Sequence, residues 1–338
     1  MAGPGRVCPV AYRYRPEDLA EPPAFACTTL FVVGGLYGNP HALDAVLARA
    51  AAEPAPPEIV FNGDFHYLDV DPDHFRAVDA GVHSHHVTQG NVEYALTADD
   101  DTVGCGCDYP DYIAEPVVTN SNLVVEQLRA SPALRNDAVR RRLAELPRHL
   151  TVLVGDHRVG IVHGDPESLA GWRLALEALD PPDQDARTHT AFAGPTTTVE
   201  QVVDWCRRAG VDALCCTHTG LPYAQVVPHA DRRCVVVNNG CAGLPNFAGT
   251  RVGVLTRLSA DPGTPRDSLY GTTLDGLRVD ALPVRYDHDR WQADFLHSWP
   301  PGSPAHDNYA TRVEHGTWLT VDKAARGTAA APGATPRA

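Results

Sequence analysis

The sequence of 338 residues contains 43% hydrophobic and 21% charged residues, ordinary proportions for a globular chain of one large domain or two smaller ones. Its 28 basic and 42 acidic residues give a formal net charge of −14, so it lacks the positive field that nucleic-acid binding requires. No apolar run reaches about 18 residues, which excludes a transmembrane helix, and residues 1–27 lack the apolar core of a secretory signal.

Short apolar runs alternate with helical patterns along most of the chain. The first unit is a strand over residues 28–33, a glycine turn and a helix over residues 41–52. Further strands are predicted over residues 58–61, 87–90, 150–155, 158–162, 212–216, 234–238, 252–258 and 277–286. Further helices are predicted over residues 121–146 (interrupted near Pro132), 198–210 and 289–297.

The chain is predicted to have three parts. Residues 1–26 are rich in proline, arginine and glutamate without a period, which indicates an irregular N-terminal arm. Residues 27–322 mix strands with helices, and polar motifs follow the strands, which favours a layered α/β fold with its site at the carboxyl edges of the strands. Residues 323–338 are predicted to be a disordered tail because alanine, glycine, proline and threonine dominate them.

Four polar motifs each place one metal-binding side chain at the tip of a predicted strand. The four side chains are those of Asp64, Asn91, His163 and His218. Two oxygens and two imidazole nitrogens form a ligand set that suits Zn, Mn or Fe(II). Each histidine taken alone is better explained as a buried, hydrogen-bonded side chain, but four such motifs in sequence favour a metal site.

The pair Cys105 and Cys107 is the unusual feature among the nine cysteines. A C-x-C pair on the loop after Asn91 could bind a soft metal or form a redox pair, and a purely structural loop is the alternative. We retain both sulfurs as possible additional ligands.

Six segments together carry a resemblance to a known family: VVGGLYGNPHALDAVL, VFNGDFHYLD, GNVEY, IVHGDPESL, CTHTGLPY and VNNGCAGLPNF. Over roughly residues 28–316 the chain resembles the calcineurin-like metallophosphoesterases, as a bacterial branch of that superfamily. The resemblance implies a four-layer α/β/β/α sandwich in which two metals about 3.5–4 Å apart activate water for attack on phosphorus. It also implies that Asp64 is the carboxylate that bridges the metals.

The chain departs from the family motifs at one of the two metal positions. The motif Asp-x-His-Gly-Asn reads GLYGN at residues 35–39, and Gly-His-x-His reads THTG at residues 217–220. Gly35 and Tyr37 replace the aspartate and the histidine of the first motif, and Gly220 replaces the second histidine of the other. In the family these three ligands belong to the same metal position, whereas the other position keeps its full set. A third motif, Gly-Asn-His-Asp, has Val92 in place of its proton-donating histidine. We therefore predict a single divalent transition metal per chain.

The leading hypothesis is a metal-dependent hydrolase of a phosphorus ester, either phosphomonoesterase-like or phosphodiesterase-like. Asn91 is assigned to the catalytic set as well as to the metal. His66 could reach the space of the lost ligands, Tyr37 could act as a ligand or an acid, and Asp165 could orient the attacking water; packing roles are the alternatives. We expect a cytoplasmic enzyme for a small phosphorylated substrate, with neither nucleic-acid nor membrane partners, and leave its oligomeric state open.

Two other classes of function remain open from the sequence. The pair Cys105 and Cys107, together with the lost metal position, motivates a metal- or thiol-dependent protein that uses the phosphoesterase scaffold without phosphoesterase activity. A degenerate structural module is a third possibility, which the survival of four ligands as a set makes the weakest.

Overall fold

The computed structural model of the chain describes residues 3–181, 194–228 and 233–330. Its strands are β1 (Phe25–Cys27), β2 (Thr29–Val33), β3 (Glu58–Asn62), β4 (His86–Thr88), β5 (His149–Val154), β6 (His157–Val162), β7 (Ala213–Cys216), β8 (Tyr223–Pro228), β9 (Arg233–Asn238), β10 (Gly253–Ser259), β11 (Tyr270–Leu274), β12 (Leu277–Val284) and β13 (Ala329–Ala330). Its α-helices are α1 (Pro40–Ala51), α2 (Pro72–Val82), α3 (Asn91–Thr97), α4 (Glu115–Arg129), α5 (Asp137–Ala144), α6 (Val199–Ala209), α7 (His288–Ser298), α8 (Pro304–His315) and α9 (Val321–Ala325).

The strands form two mixed sheets. The first has the order β1-β5-β6-β7-β9-β8, and the second has the order β13-β11-β12-β10-β2-β3-β4. Strands β2, β3 and β4 are parallel to one another in the second sheet, as are β6, β7 and β9 in the first. Because parallel strands end at the same edge of a sheet, this topology brings the polar segments after β3, β4, β6 and β7 together.

Strand β2 explains why the chain forms layers. All five of its residues are buried, because alternate side chains point to opposite faces and both faces are covered. Leu30 and Val32 belong to one apolar cluster, with residues of both sheets and of α6. Phe31 and Val33 belong to the other, with the apolar faces of α1 and α2. The result is the predicted four-layer α/β/β/α sandwich.

The end of β3 ties the two sheets together. Asn62 donates from Nδ2 to the carbonyl oxygen of Val162 at 2.8 Å and to the hydroxyl oxygen of Thr217 at 2.8 Å. It also accepts a hydrogen bond from the Thr88 hydroxyl at 2.7 Å. A single buried amide thus sets the relative positions of the ends of β3, β4, β6 and β7.

The described residues nearest the two termini contain more regular structure than their composition indicates. The arm contains 3-10 helices at Val10–Tyr12 and Pro16–Ala20, and it buries Tyr12 and Leu19. The prediction of disorder from residue 323 is wrong for the described part of that segment. Helix α9 buries Ala324 and Ala325 in the core. The sequence did not indicate this helix because such small side chains produce no visible apolar period.

Residues 329–330 then pair with β11, while residues 331–338 of the predicted tail lie outside the described part of the chain. No helix of the described residues is long and apolar enough to cross a bilayer.

Candidate metal centre

The four predicted ligands meet where the two sheets join. One ligand atom from each of Asp64, His163 and His218 lies within 4.8 Å of the other two, and all three residues are buried. Asp64 Oδ2 is 3.3 Å from His163 Nε2, and Asn91 Oδ1 is 3.1 Å from the same nitrogen. The structure therefore brings together side chains from positions 64, 91, 163 and 218, each of which lies within two residues of a strand end or begins the helix after a strand.

His163 is oriented by a backbone carbonyl. Its Nδ1 lies 2.9 Å from the carbonyl oxygen of Asn62, so Nδ1 donates and Nε2 faces Asp64 and Asn91. Burial lowers the pKa of His163, but the Asp64 carboxylate outweighs this effect and raises the pKa above its ordinary value. A carbonyl that fixes one ring nitrogen while the other faces oxygen ligands is the usual arrangement of a metal-binding histidine.

His218 has the opposite ring orientation. Its Nε2 donates to the carbonyl oxygen of Cys107 at 3.0 Å, whereas its buried Nδ1 has no hydrogen-bond partner in the described part of the chain. Burial, and then the positive charge of His163, lower the pKa of His218 to about 4. The neutral ring therefore presents an unpaired nitrogen to the cluster, and a buried acceptor without a partner costs about 1–3 kcal/mol. A bound cation would satisfy it, so these residues fit a metal ion.

The loop that contains Cys105 and Cys107 orients two of the ligands through its backbone. Asn91 donates from Nδ2 to the carbonyl oxygen of Cys105 at 3.1 Å, which turns its Oδ1 toward His163. The Cys107 carbonyl accepts from His218 and from Trp172 Nε1 at 2.9 Å.

The two sulfurs differ in their position. The Cys107 side chain lines a cavity beside Asp64, Asn91 and His218, and its sulfur is 3.5 Å from Asn91 Nδ2. Cys105 is buried and does not line this cavity. Burial raises the pKa of the Cys107 thiol well above its ordinary value, which keeps the thiol protonated. Neither sulfur belongs to the ligand cluster that the described residues form.

Glu93 holds the loops that carry the ligands, and the sequence interpretation missed it. Its carboxylate is fully buried and accepts hydrogen bonds from the backbone nitrogens of Asp64 at 2.8 Å, Phe65 at 3.0 Å and Gly90 at 2.9 Å. Asp64 has a φ of 55°, an uncommon conformation for a residue other than glycine, which these bonds stabilise. A glutamate in the first turn of α3, three residues after Gly90, is the capping-box signal that could have identified it.

Two of the predicted catalytic residues do not line the cavity. His66 pairs through Nδ1 with Asp69 at 2.7 Å, lies 3.6 Å from Asp79 and stacks on Phe75. Asp165 accepts hydrogen bonds from the backbone nitrogens of residues 167, 168 and 173, and so closes the turn over residues 165–173. Local partners hold both side chains outside the cavity lining, so the structure brings neither His66 nor Asp165 to the predicted ligands.

Three of the four predicted ligands, Asp64, Asn91 and His218, line a cavity of about 100 Å³ with largely aromatic walls. Its lining comprises Tyr37, Asp64, Tyr67, Asn91, Val92, Cys107, Tyr109, Trp172, His218, Thr219, Tyr309 and Arg312. Beyond Trp172, which contributes to both spaces, a wider recess of about 600 Å³ is bordered by the N-terminal arm and Asp165. Of the predicted catalytic residues, Tyr37 and Asn91 are the two that line the inner cavity.

Other side chains lie in the directions in which the further metal ligands implied by the resemblance would project from positions 35 and 220. A Cβ atom at Gly35 would lie 2.4 Å from Tyr37 Cε2, so the tyrosine ring occupies the direction that an aspartate would take. A Cβ atom at Gly220 would lie 2.7 Å from Cys241 Sγ, 3.6 Å from Arg312 Nη1 and 3.7 Å from Tyr37 Oη. Nothing in the sequence around position 220 indicates that Arg312, from α8, lies beside it.

Solved structures with the same architecture place this site in a known fold. A metallophosphoesterase from Sphaerobacter thermophilus is 16% identical, and the match covers 86% of this chain and 100% of that one with a TM-score of 0.51. A hypothetical protein from Pyrococcus horikoshii is also 16% identical, over 86% of this chain and 99% of its own, with a TM-score of 0.53.

The chain therefore shares the fold of the metallophosphoesterase structure, and the fold expected from the six segments is confirmed. No protein-family model and no curated protein matches the sequence.

Proposed function

We propose that this protein is a metal-dependent hydrolase of a small phosphorylated substrate and uses one divalent transition metal. The residues that would hold the metal are Asp64, Asn91, His163 and His218. The observation that carries the proposal is the unpaired, buried Nδ1 of His218 within 4.8 Å of ligand atoms of Asp64 and His163. Two nitrogen and two oxygen donors favour Zn, Mn or Fe(II).

A divalent metal at such a site lowers the pKa of water and polarises a phosphoryl oxygen. The chain's own residues supply orientation and enclosure. Asn91 and His218 are fixed by the carbonyls of the loop at Cys105 and Cys107, so little reorientation is needed when a ligand binds. The aromatic walls limit the water around the reacting group and restrict the inner cavity to a small group.

Tyr37 is the proposed proton donor, since Val92 replaces the family's histidine. Its ring lines the cavity, and burial raises the pKa of its hydroxyl well above the ordinary value. The phenol therefore keeps its proton at neutral pH, and because the raised pKa makes it a weaker acid, it would protonate only a strongly basic leaving group such as an alkoxide. Its φ of 54° is uncommon for a bulky residue, a strain that fits a functional position.

The use of a single metal is supported by the side chains that fill the family's second position. Tyr37, Cys241 and Arg312 lie where side chains at Gly35 and Gly220 would project. None of these three is a carboxylate or an imidazole, the ligands that the resemblance implies there.

One observation favours the alternative of a metal- or thiol-dependent protein without phosphoesterase activity. The Cys107 side chain lines the cavity, and its sulfur is 3.5 Å from Asn91 Nδ2. Its raised pKa opposes thiolate chemistry, so we rank this function second.

Metal analysis of purified variants tests the proposal. We expect about one first-row metal per wild-type chain and loss of most of it in His163→Ala and His218→Ala, because each removes one coordination bond. His288→Ala is the matched control: its Nε2 also bonds a backbone carbonyl and its buried Nδ1 is also unpaired, but it belongs to no ligand cluster in the described residues.

The same samples are assayed with a phosphomonoester and a phosphodiester of p-nitrophenol. Full metal content in either histidine variant would contradict the ligand assignment, and two metals per chain would contradict the single-metal proposal. A metal-loaded protein that hydrolyses neither ester with Zn, Mn or Fe(II) would favour the alternative function.

A further inference from the structure

Arg312 extends from α8 into the wall of the cavity and is held there firmly. Its Nε donates to the carbonyl oxygen of Pro245 at 3.0 Å, and its Nη2 donates to the carbonyl oxygen of Gly220 at 2.9 Å. These bonds leave Nη1 beside Gly220, 3.6 Å from the position that a Cβ atom on Gly220 would occupy. The resemblance assigns a metal-binding histidine to that position, so a cationic side chain stands where the family has a metal ligand.

The charge of Arg312 has no anionic partner in the described part of the chain. Its hydrogen-bond acceptors there are two backbone carbonyls and the amide oxygen of Asn246, and no carboxylate forms an ion pair with it. Arg257, by contrast, pairs with Glu53 at 3.1 Å.

The other groups near the guanidinium do not supply the missing charge. Tyr37, Tyr309 and Cys241 carry phenol and thiol groups, which are neutral at pH 7. The Arg312 side chain is only half-buried, but a guanidinium partly withdrawn from water without a counter-ion is still unfavourable, and an anionic ligand in the cavity would compensate it.

We infer that Arg312 binds a non-bridging oxygen of the substrate's phosphoryl group, taking over the electrostatic role of the family's second metal. The inference rests on the proposed function and names the ligand class as a tetrahedral phosphorus oxyanion with a free oxygen. A guanidinium is always charged, and its planar fork of N–H donors matches such an oxyanion. Arg312 is thus a substrate-binding residue that acts beside the retained metal ligands without replacing any of them.

Binding of inorganic phosphate tests the inference separately from turnover. Phosphate is titrated calorimetrically into the metal-loaded wild type, Arg312→Gln and Arg312→Lys, and metal content is measured on the same samples. We expect Arg312→Gln to weaken phosphate binding by about tenfold or more, as loss of a charge-assisted hydrogen bond would, with metal content unchanged. Arg312→Lys keeps the charge but loses the fork, so its affinity should be intermediate.

Arg129→Gln is the control, because Arg129 also donates to a backbone carbonyl, that of Ala95, and does not line the cavity. It should bind phosphate like the wild type. If Arg312→Gln fails to fold, as judged by circular dichroism, the comparison rests on Arg312→Lys.

Three results would overturn the inference: wild-type phosphate affinity in a folded Arg312 variant, no phosphate binding by the metal-loaded wild type, or loss of metal together with phosphate affinity. Arg312-dependent phosphate binding by a protein that hydrolyses no ester would instead support the inference and contradict the proposed function.

Discussion

The buried carboxylate of Glu93 provides the sharpest test of how the site is built. Replacing Glu93 with alanine removes the common acceptor for the backbone nitrogens of Asp64, Phe65 and Gly90, which lie 2.8–3.0 Å from its two oxygens. Those nitrogens belong to the segments after β3 and β4, so the variant releases two ligand-bearing loops at once.

The size of the effect follows from the number of bonds and the charge of the acceptor. A hydrogen bond to a charged group contributes about 1.5–3 kcal/mol, so three bonds set a gross value of about 4.5–9 kcal/mol. Two effects reduce it. The substitution also relieves the burial of a carboxylate, whose pKa is raised first by burial and then by the nearby Asp64, and bonds that share one acceptor are not additive. We expect a net loss of about 3–5 kcal/mol in the free energy of unfolding.

Urea unfolding of chelator-treated protein measures this loss without a contribution from bound metal. Tryptophan fluorescence and far-ultraviolet circular dichroism report on tertiary and secondary structure. Glu115→Ala is the control, because this exposed glutamate pairs with Arg6 at the surface and its loss should change stability by less than about 1 kcal/mol.

We also expect metal affinity to fall in Glu93→Ala, because Asp64 is no longer held at its φ of 55°. A Glu93→Ala protein within about 1 kcal/mol of the wild type would refute the role given to its three hydrogen bonds.

Three further perturbations test other parts of the site. Replacing Cys105 and Cys107 together with serine should leave metal content unchanged, because their carbonyls orient the ligands; metal analysis showing loss would instead indicate thiol ligation. Gly220→His should bind no second metal and should lower the melting temperature, because φ there is 60° and the Cβ would lie 2.7 Å from Cys241 Sγ; two metals per chain would contradict this. Chelation should lower the melting temperature of the wild type but not that of His218→Ala, since only the wild type loses bound metal; equal shifts in a thermal melt would argue against His218 as a ligand.

The sequence was sufficient for the features that local patterns encode. Asp64, Asn91, His163 and His218 each follow a short apolar run, and strand ends in a layered α/β fold converge on one edge. Their meeting could therefore be predicted without knowing how the layers pack. Most of the central strands were predicted to within one or two residues for the same reason, because continuous burial produces an apolar run.

Elements with weaker periodicity were not predicted. Helix α8 and strands β8 and β11 have no clear apolar period, and tertiary contacts decide their structure. Helix α2 was missed although Phe75, Val78 and Val82 have helical spacing. His66 illustrates the consequence for the site. Its proximity to Asp64 in sequence suggested a ligand, but Asp69 and Asp79 from the segment around α2 hold its ring away from the cavity.

Only the tertiary structure decided which side chains lie at the position where the resemblance implies a second metal. The sequence shows that ligands are missing at Gly35 and Gly220, but the group that fills the space includes Arg312, 92 residues beyond Gly220. That arginine reaches the cavity because α8 packs through Ala305 and Val313 on the apolar cluster that it shares with α1 and α2, a contact that no local pattern encodes. A lost ligand is visible in a motif, whereas its replacement depends on which distant side chain has the length, charge and position to reach the same space.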